Sequence, residues 1–290
     1  MPTLFNITDS TRTTTDTVPG IWQLLPPAPP ASGKRQQARI GEIIMSNTQR
    51  GTVVLTGAAG GLGQAIARAA VAAGRRIVLV DRNEDSLKRF AAELGAVAHP
   101  VLLDITDHAA VDRLLDRVPE AFRPVDVLVN NAGHDIGGRT RFDQGSPDDW
   151  TDIIRTNLIG TMRVTRAVLP AMVARNAGHI VNISSVNAVR IVPDMAAYSA
   201  SKAGIRMFTE TIRGELSETA IRVTEILPGL TRTGIIATRY RGDRAKEKAY
   251  FDQFKIALDP EDVARVIAFA LEQPPHVQIA EIMVLPVNRY

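Results

Sequence analysis

The feature that most constrains the fold of this chain is an alternation of short apolar runs with helix-length segments, which begins at residue 52. The runs are continuously apolar, as is typical of parallel strands buried on both faces. They read TVVLTG, RIVLVD, AHPVLLD, VDVLVNN, GHIVNISS, IRVTEILPG and IAEIMVLP. The segments predicted to be helical are 61–73, 84–94, 107–117, 147–175, 197–218 and 260–272. This order predicts one doubly wound α/β domain over residues 51–290, with a seven-stranded parallel sheet and helices on both faces.

Residues 1–50 lack this periodicity. They contain the threonine-rich stretch TRTTTDT and the proline-rich stretch LLPPAPPASG. Segments of such composition bury too little apolar surface to offset the entropy lost on ordering. We therefore expect residues 1–50 to be a disordered extension, or mostly not part of the protein if translation begins at Met45. They also lack the continuous apolar stretch of a secretory signal.

Composition excludes several classes of function. The chain has no cysteine, which rules out disulfides and thiolate chemistry and fits a reducing compartment. Its formal charge is only +3 and its basic residues are scattered, so nothing favours nucleic-acid binding. No apolar run reaches the length of about 18 residues that suggests a membrane span, and the five histidines are not spaced like metal ligands. We expect a cytoplasmic protein that acts on a small molecule without a metal.

A glycine-rich turn, TGAAGGLG at residues 56–63, joins the first predicted strand to the first helix. Its glycines allow a tight turn and let a pyrophosphate approach the amides at the helix N-terminus. The second strand ends at Asp81, whose carboxylate would bind the adenosine ribose and repel the 2′-phosphate of NADP. The neighbouring Arg82 opposes this preference, because a guanidinium binds such a phosphate. The pattern predicts NAD as the cofactor, with NADP as the alternative.

Tyr198 and Lys202 lie four residues apart in YSASK, so a helix would place them on one face, one turn apart. A free tyrosine has a pKa of about 10, too high for a base at neutral pH. A nearby ammonium group and the positive nicotinamide of NAD⁺ are expected to lower that pKa. Tyr198 is therefore predicted to be the general acid/base that takes the alcohol proton as hydride leaves carbon.

The glycine-rich turn has the spacing T-G-x-x-x-G-x-G. Together with NNAG at 130–133, TNLIG at 156–160, NISS at 182–185, YSASK and PGLTRT at 228–233, it resembles the short-chain dehydrogenase/reductase family over about residues 52–286. The resemblance implies a Rossmann-like fold. It also implies an NAD(P)-dependent oxidoreductase that acts on CH–OH groups.

The resemblance also implies a role for each matching residue. Family spacing selects Ser185, and not Ser184, as the donor that holds the substrate oxygen. Lys202 would also hold the nicotinamide ribose, and Asn157 would support a relay of protons through water and this lysine. The implied cofactor contacts are Thr56, Gly57, Gly61, Leu62, Gly63, Asp81, Arg82, Asp104, Ile105, Asn131, Ala132, Gly133, Tyr198, Lys202, Pro228, Leu230, Thr231 and Thr233.

The resemblance implies that residues 231–248, TRTGIIATRYRGDRAKEK, form a lid segment over the substrate. The arginines of this segment either bind an anionic substrate group or belong to a solvated helix; they are Arg232, Arg239, Arg241 and Arg244. His134 and Asp135, which follow NNAG, either face the substrate or lie in a solvated loop. The last strand resembles that of relatives acting on small 3-hydroxy acids. The expected substrate is a small polar alcohol or carbonyl compound, anionic if a lid arginine binds it.

Three functions are compatible with the sequence. We favour an NAD-dependent oxidoreductase, with an NADP-dependent ketoreductase or 3-hydroxy acid dehydrogenase as the alternative. A non-catalytic regulator that senses a dinucleotide is disfavoured, because such relatives usually lose the tyrosine or the lysine of YSASK and this chain keeps both. The helices at 147–175 and 197–218 carry apolar residues beyond one core-facing stripe. This favours a homotetramer, with a dimer as the alternative.

Overall fold

The computed structural model describes residues 50–287. The predictions made for residues 1–50 lie outside the described residues, apart from Arg50. All seven predicted strands are confirmed. They are β1 (Thr52–Thr56), β2 (Arg76–Asp81), β3 (Ala98–Leu102), β4 (Val125–Asn130), β5 (Gly178–Ile183), β6 (Ile221–Pro228) and β7 (Glu281–Val284).

The strands form one parallel sheet in the order β3-β2-β1-β4-β5-β6-β7. The chain therefore runs outward from β1 to β3, and then returns to the other side of β1 to build β4 to β7. Thr52 is in register with Arg76 of β2 on one side and with Val125 of β4 on the other. In sheets of this kind ligands bind beyond the carboxyl ends of the strands, where the strand order reverses. In this Rossmann-like topology, the ligand site is therefore expected at the carboxyl ends of β1, β2 and β4.

Two predicted helices differ from the observed ones, and two short helices, at 235–239 and 244–251, lie outside the predicted helical segments. Within residues 50–287 the helices are α1 (Gly61–Ala72), α2 (Glu84–Leu94), α3 (His108–Asp112), α4 (Pro147–Ile154), α5 (Thr161–Arg175), α6 (Ala196–Glu215), α7 (Ile235–Arg239), α8 (Arg244–Phe251) and α9 (Pro260–Glu272). The predicted helix 107–117 ends early, and a 3₁₀ turn follows it at Leu114–Arg117. The predicted helix 147–175 is divided by a π-helical turn at Arg155–Gly160. Nothing among these helices combines the length and the apolar character needed to cross a membrane.

The core lies in two layers because successive side chains of a strand point to opposite faces of the sheet. Val53 and Leu55 of β1 belong to one layer, which α1, α2 and α9 cover. Val54 belongs to the other layer, which α3, α5 and α6 cover. Buried strands with both faces covered explain why the apolar runs of the sequence show no alternation.

Buried polar side chains connect the centre of the sheet to two helices. Asn130 at the end of β4 donates hydrogen bonds to Asn182 of β5 at 2.8 Å and to Thr165 of α5 at 2.9 Å. Asn182 in turn donates to Thr209 of α6 at 2.8 Å. Each of these amide donors has a partner, whereas Asn130 Oδ1 is buried without one, so the network orients the helices at some desolvation cost. It sets the position of α6, which carries the YSASK residues.

Candidate active site

A cavity of about 540 Å³ opens at the carboxyl edge of the sheet. It runs between the glycine-rich turn, the ends of the strands and the lid segment, so that Asp81 and Tyr198 line the same space. The predicted cofactor residues that line it are Gly57, Gly61, Leu62, Gly63, Asp81, Arg82, Asp104, Ile105, Asn131, Ala132, Gly133, Tyr198, Lys202, Pro228, Leu230, Thr231 and Thr233. The topology thus brings together residues that are spread over most of the chain.

The glycine-rich turn requires glycine for two different reasons. Gly57 has a φ of 64°, a conformation that other residues adopt only with strain. A Cβ on Gly63 would lie 2.1 Å from the carbonyl oxygen of Gly57, so only glycine lets α1 begin this close to the turn. At Gly61 the nearest atom to an added Cβ is Thr233 Cα at 4.0 Å, an ordinary van der Waals distance, so this position is not crowded. The first amides of α1 have no helical acceptor and are available to a phosphate group.

Thr56 does not line the cavity, contrary to the prediction that it contacts the cofactor. Its side chain is buried, and its Oγ1 accepts hydrogen bonds from the backbone N–H of Asn131 at 3.0 Å and of Ala132 at 3.1 Å. Asn131 returns a side-chain hydrogen bond to the carbonyl oxygen of Thr56 at 3.0 Å. The threonine therefore joins the glycine-rich turn to the NNAG loop and acts behind the cavity wall.

The adenosine end of the cavity contains two carboxylates and one guanidinium. Asp81 accepts hydrogen bonds at 2.9 Å from the backbone N–H of Ala59 and, through its other oxygen, at 2.9 Å from that of Asn83. Arg82 is 63% exposed and lies 3.9 Å from a carboxylate oxygen of Asp104. Hydrogen bonds from Thr106 hold the pKa of Asp104 below its ordinary value despite its partial burial. Of the charged side chains that line this end of the cavity, the two carboxylates outnumber the one guanidinium.

The chemical end lies at the start of α6, which begins two residues before Tyr198. Lys202 is one helical turn further on, and its Nζ lies 5.8 Å from the centre of the Tyr198 ring. That Nζ donates a hydrogen bond to the carbonyl oxygen of Ile183 at 2.8 Å. Ser185, two residues after the end of β5, hydrogen-bonds the Tyr198 phenol. The sheet therefore brings the serine to the tyrosine, as the spacing predicted, while Ser184 donates to the Lys202 carbonyl oxygen at 3.1 Å.

The predicted lowering of the Tyr198 pKa does not occur in the protein itself. Burial raises the pKa of Tyr198, the charge of Asp135 raises it further, and the hydrogen bond from Ser185 and the charge of Arg239 only partly oppose these effects. Burial also lowers the pKa of Lys202 to about 8, against the charges of Asp135 and Glu225. Removing both groups from water penalises their charged forms. The site therefore holds Tyr198 as a neutral phenol that is ready to donate a proton.

Asn157 lies in the π-helical turn between α4 and α5, a distortion that often marks functional positions. It is 1% exposed and does not line the cavity. Its Oδ1 accepts from the His134 N–H at 2.9 Å, and its Nδ2 donates to the His134 carbonyl at 2.9 Å and to Ser201 Oγ at 3.0 Å. Ser201 donates to the Tyr198 carbonyl at 2.7 Å. Asn157 therefore connects the loop after NNAG to the helix that carries Tyr198.

The lid arginines divide into one buried residue and three exposed ones. Only Arg239, at the end of α7, lines the cavity among the described residues of the lid segment that carry a guanidinium. Arg241 pairs with Asp149 at 2.7 Å on the surface, Arg232 lies over the Phe251 ring at 5.7 Å, and Arg244 is exposed. The solvated interpretation thus fits three of the four.

Asp135 is the partner of Arg239. Its Oδ2 accepts a hydrogen bond from Arg239 Nε at 2.8 Å and forms an ion pair with Nη2 at 2.6 Å, and its side chain is 3% exposed. Burial raises the pKa of Asp135 to about 6, although Arg239 opposes the shift. His134 is buried as well. The expectation of a solvated loop at these two positions is therefore wrong.

Sequence reasoning missed two further arginines of the cavity wall. Arg139 follows NNAG by six residues, and Arg190 follows Ser185 by five. Both lie in loops, where no periodic pattern indicates which way a side chain faces. With Arg239 they give the substrate end of the cavity three guanidinium groups.

Carboxylates also gather away from the cavity. Oxygens of Glu210, Glu225 and Glu281 lie within 4.8 Å of one another, a separation that a metal ion could bridge. Arg206 occupies the same place and pairs with Glu210 at 3.1 Å, with Glu225 at 3.3 Å and also with Glu281. The guanidinium supplies the positive charge that these acids require, so the cluster joins α6 to β6 and β7.

Known proteins are similar to this chain in sequence and in fold. Residues 51–244 match the family model described as short chain dehydrogenase. The NADP-dependent 3-hydroxy acid dehydrogenase YdfG of Escherichia coli K12 is 37% identical over 239 residues, which are 82% of this chain and 95% of that protein.

Solved structures of two dehydrogenases have a similar fold. A closed form of serine dehydrogenase complexed with NADP⁺ is 36% identical with a TM-score of 0.78, and covers 80% of this chain and 94% of its own. An NAD⁺-bound xylitol dehydrogenase is 29% identical with a TM-score of 0.74, and covers 81% of this chain and 98% of its own. Family model, identity, coverage and fold agree: the chain belongs to the short-chain dehydrogenase family, whose members are oxidoreductases.

Proposed function

We propose that the protein transfers hydride between NAD and a small polar alcohol or carbonyl compound that carries a carboxylate. The observation that carries this proposal is the single cavity in which Asp81 lines one end and Ser185, Tyr198 and Arg239 line the other. A dinucleotide extended between these ends would meet the general acid/base beside its reactive ring. Because Tyr198 and Lys202 are both present and close together, catalysis is favoured over sensing of the dinucleotide alone.

The residues of the cavity wall fit such a cofactor. The first amides of α1, which have no side-chain cap, suit a pyrophosphate. Asp81 suits the adenosine ribose, and Asp104 with Ile105 would flank the adenine. Asn131 to Gly133 and Lys202 line the same cavity and would contact the second ribose, while Pro228, Leu230, Thr231 and Thr233 also line it and would contact the nicotinamide. Bound there, the nicotinamide supplies the hydride acceptor or donor.

The catalytic roles follow from the hydrogen bonds at the chemical end. Ser185 would donate to the substrate oxygen and stabilise its developing charge. Tyr198, a neutral phenol in this environment, would donate its proton to a carbonyl oxygen during reduction and accept it back during oxidation. Lys202 would hold the ribose hydroxyls and add positive charge beside the phenol. Asn157 would keep the His134 loop and the Tyr198 helix in register.

Charge at the adenosine end supports NAD over NADP. Among the residues that line this end of the cavity, Asp81 and Asp104 are acidic and Arg82 is basic, and Arg82 already lies 3.9 Å from Asp104. A 2′-phosphate would add two more negative charges to this region. The runner-up remains an NADP-dependent 3-hydroxy acid dehydrogenase, because relatives named as NADP-dependent are 37% identical to this chain and Arg82 lines the cavity.

The guanidinium groups of Arg139, Arg190 and Arg239 support an anionic substrate. Arginine binds carboxylates through paired N–H groups, and such charge-assisted hydrogen bonds are stronger than neutral ones. Two relatives have names that fit this class, a 3-hydroxy acid dehydrogenase and a serine dehydrogenase. A small hydroxy acid is therefore the substrate class we propose.

A substrate panel tests the proposal. Purified protein is incubated with NAD or NADP and with small 3-hydroxy acids, hydroxy amino acids, polyols and sulfonates, and the absorbance of reduced cofactor is followed. We expect turnover of hydroxy acids with NAD and weaker turnover of uncharged polyols. Turnover of uncharged alcohols in preference to every acid would contradict the proposed substrate class. Absence of any turnover with both cofactors would favour the regulator.

A further inference from the structure

The ion pair of Asp135 and Arg239 joins two distant parts of the chain inside the protein. Asp135 lies in the loop after β4, and Arg239, 104 residues later, ends the lid helix α7. Their side chains are 3% and 6% exposed. A second bridge between the same two regions, Arg241 with Asp149, is at the surface, where the Arg241 side chain is 59% exposed. Only the first bridge lies beside the substrate end of the cavity.

The Arg239 guanidinium is restrained by two residues. Its Nε donates a hydrogen bond to Asp135 Oδ2, its Nη2 forms an ion pair with the same oxygen, and its central carbon lies 4.7 Å from the centre of the Tyr250 ring. Nη1 of Arg239 and Oδ1 of Asp135 are buried without a hydrogen-bond partner. Leaving such groups unpaired costs free energy. The pair is therefore built with hydrogen-bonding capacity that the protein does not use.

Stability alone does not account for this pair. Replacing a buried ion pair by apolar residues of similar size is often neutral or stabilising, because desolvation offsets the attraction. An apolar cluster of Leu230, Ile236 and Tyr250 also packs the lid segment against the residues that flank it. A role in substrate recognition explains why the pair lies beside the cavity, with Arg239 lining it.

We propose that Asp135 is a positioning residue that holds Arg239 in the orientation in which it binds the carboxylate of the substrate. This inference rests on the proposed function, because it requires an anionic substrate. Asp135 acts through Arg239, since Arg239 lines the main cavity and Asp135 does not. Because the pair is neutral as a whole, recognition depends on the direction of the arginine N–H groups and not on net charge alone, while Arg139 and Arg190 supply positive potential.

A matched pair of ligands tests this inference in binding, independently of turnover. The full-length protein, saturated with NADH so that the alcohol cannot be oxidised, is titrated calorimetrically with 3-hydroxybutyrate and with its methyl ester, which lacks the negative charge. We expect Asp135→Asn to weaken 3-hydroxybutyrate binding about tenfold, the loss of roughly one charge-assisted hydrogen bond, and to leave the ester unchanged. Asp149→Asn, which removes the exposed bridge, is the control and should leave the Kd of both ligands unchanged.

The outcomes separate this inference from the proposed function. If the wild-type protein does not bind the acid more tightly than the ester, or if Arg239→Gln leaves the Kd of the acid unchanged, the proposed anionic substrate class fails. If Arg239→Gln weakens acid binding and Asp135→Asn does not, the role of Asp135 alone is refuted. Equal weakening of acid and ester in Asp135→Asn also refutes it, because a general loosening of the lid would then be the cause.

Discussion

Replacing Asp81 with serine tests the cofactor choice most directly. The carboxylate ends β2, lines the cavity and would face the position of a 2′-phosphate. Two unit charges about 4 Å apart interact by about 1 kcal/mol in bulk water and by about 4 kcal/mol at the permittivity typical of a protein surface. Asp81 is half-buried, so an intermediate value of about 2 kcal/mol applies, which corresponds to roughly thirtyfold in the preference for NAD.

The variant has a second effect that must be separated from the first. Asp81 accepts hydrogen bonds from the backbone N–H groups of Ala59 and Asn83, both at 2.9 Å. Serine cannot replace both, so the glycine-rich turn should loosen and bind either cofactor less well. That loss affects NAD and NADP alike. The informative quantity is therefore the ratio of kcat/KM for the two cofactors, which we expect to fall by about thirtyfold in Asp81→Ser.

Arg82→Ser is the matched control, because it removes the opposite charge from the neighbouring position. It should shift the ratio further toward NAD. The assay is initial-rate kinetics with each cofactor at a fixed concentration of one substrate, for the wild type and both variants. A wild-type protein that prefers NADP, or an unchanged ratio in Asp81→Ser, would refute the argument and leave Arg82 as the residue that decides the cofactor.

Four further predictions concern catalysis, the glycine-rich turn, acid stability and assembly. Tyr198→Phe should lower kcat by at least about three decades while the Kd for NAD stays nearly constant, because only proton transfer is lost; activity within tenfold of wild type would contradict the assignment. Gly63→Ala should weaken the binding of both cofactors, as measured by fluorescence titration, because the added Cβ would lie 2.1 Å from a carbonyl oxygen. Gly214→Ala is the control and should leave cofactor binding unchanged, because a Cβ there meets nothing within 4 Å. Burial lowers the pKa of His179 to about 3, below the value of about 6.5 in the unfolded chain, so the unfolded chain binds the proton more tightly. The free energy of unfolding should therefore fall by up to about 5 kcal/mol as the pH drops from about 6.5 to 3. In urea titrations the fall should be shallower for His179→Gln than for the wild type, and an equal slope would refute this. Exposed Met162, Val173 and Met207 on α5 and α6 favour a homotetramer, and light scattering that gives a monomer mass at micromolar concentration would exclude it.

Local pattern in the sequence was sufficient for several features of this protein. Seven apolar runs predicted seven parallel strands, because strands covered on both faces carry no polar alternation. The spacing in YSASK predicted that Tyr198 and Lys202 share one face of a helix, since that relation depends only on helical geometry. Glycine at 57 and 63 followed from the demands of a tight turn. Each of these inferences involves residues that are close in sequence.

Tertiary structure decided what depends on burial and on contacts between distant residues. Asp135 and Arg239 are 104 residues apart, and only the folded chain selects this arginine over the others of the lid segment. Thr56 lies behind the cavity wall because the NNAG loop packs against it, 75 residues away. In the protein itself the pKa of Tyr198 rises, because the removal of the phenol from water and the charge of Asp135 outweigh the hydrogen bond from Ser185 and the charge of Arg239, whereas the predicted fall also included the charge of bound NAD⁺. Desolvation is a property of the whole fold, so the spacing of two residues on one helix does not determine its size.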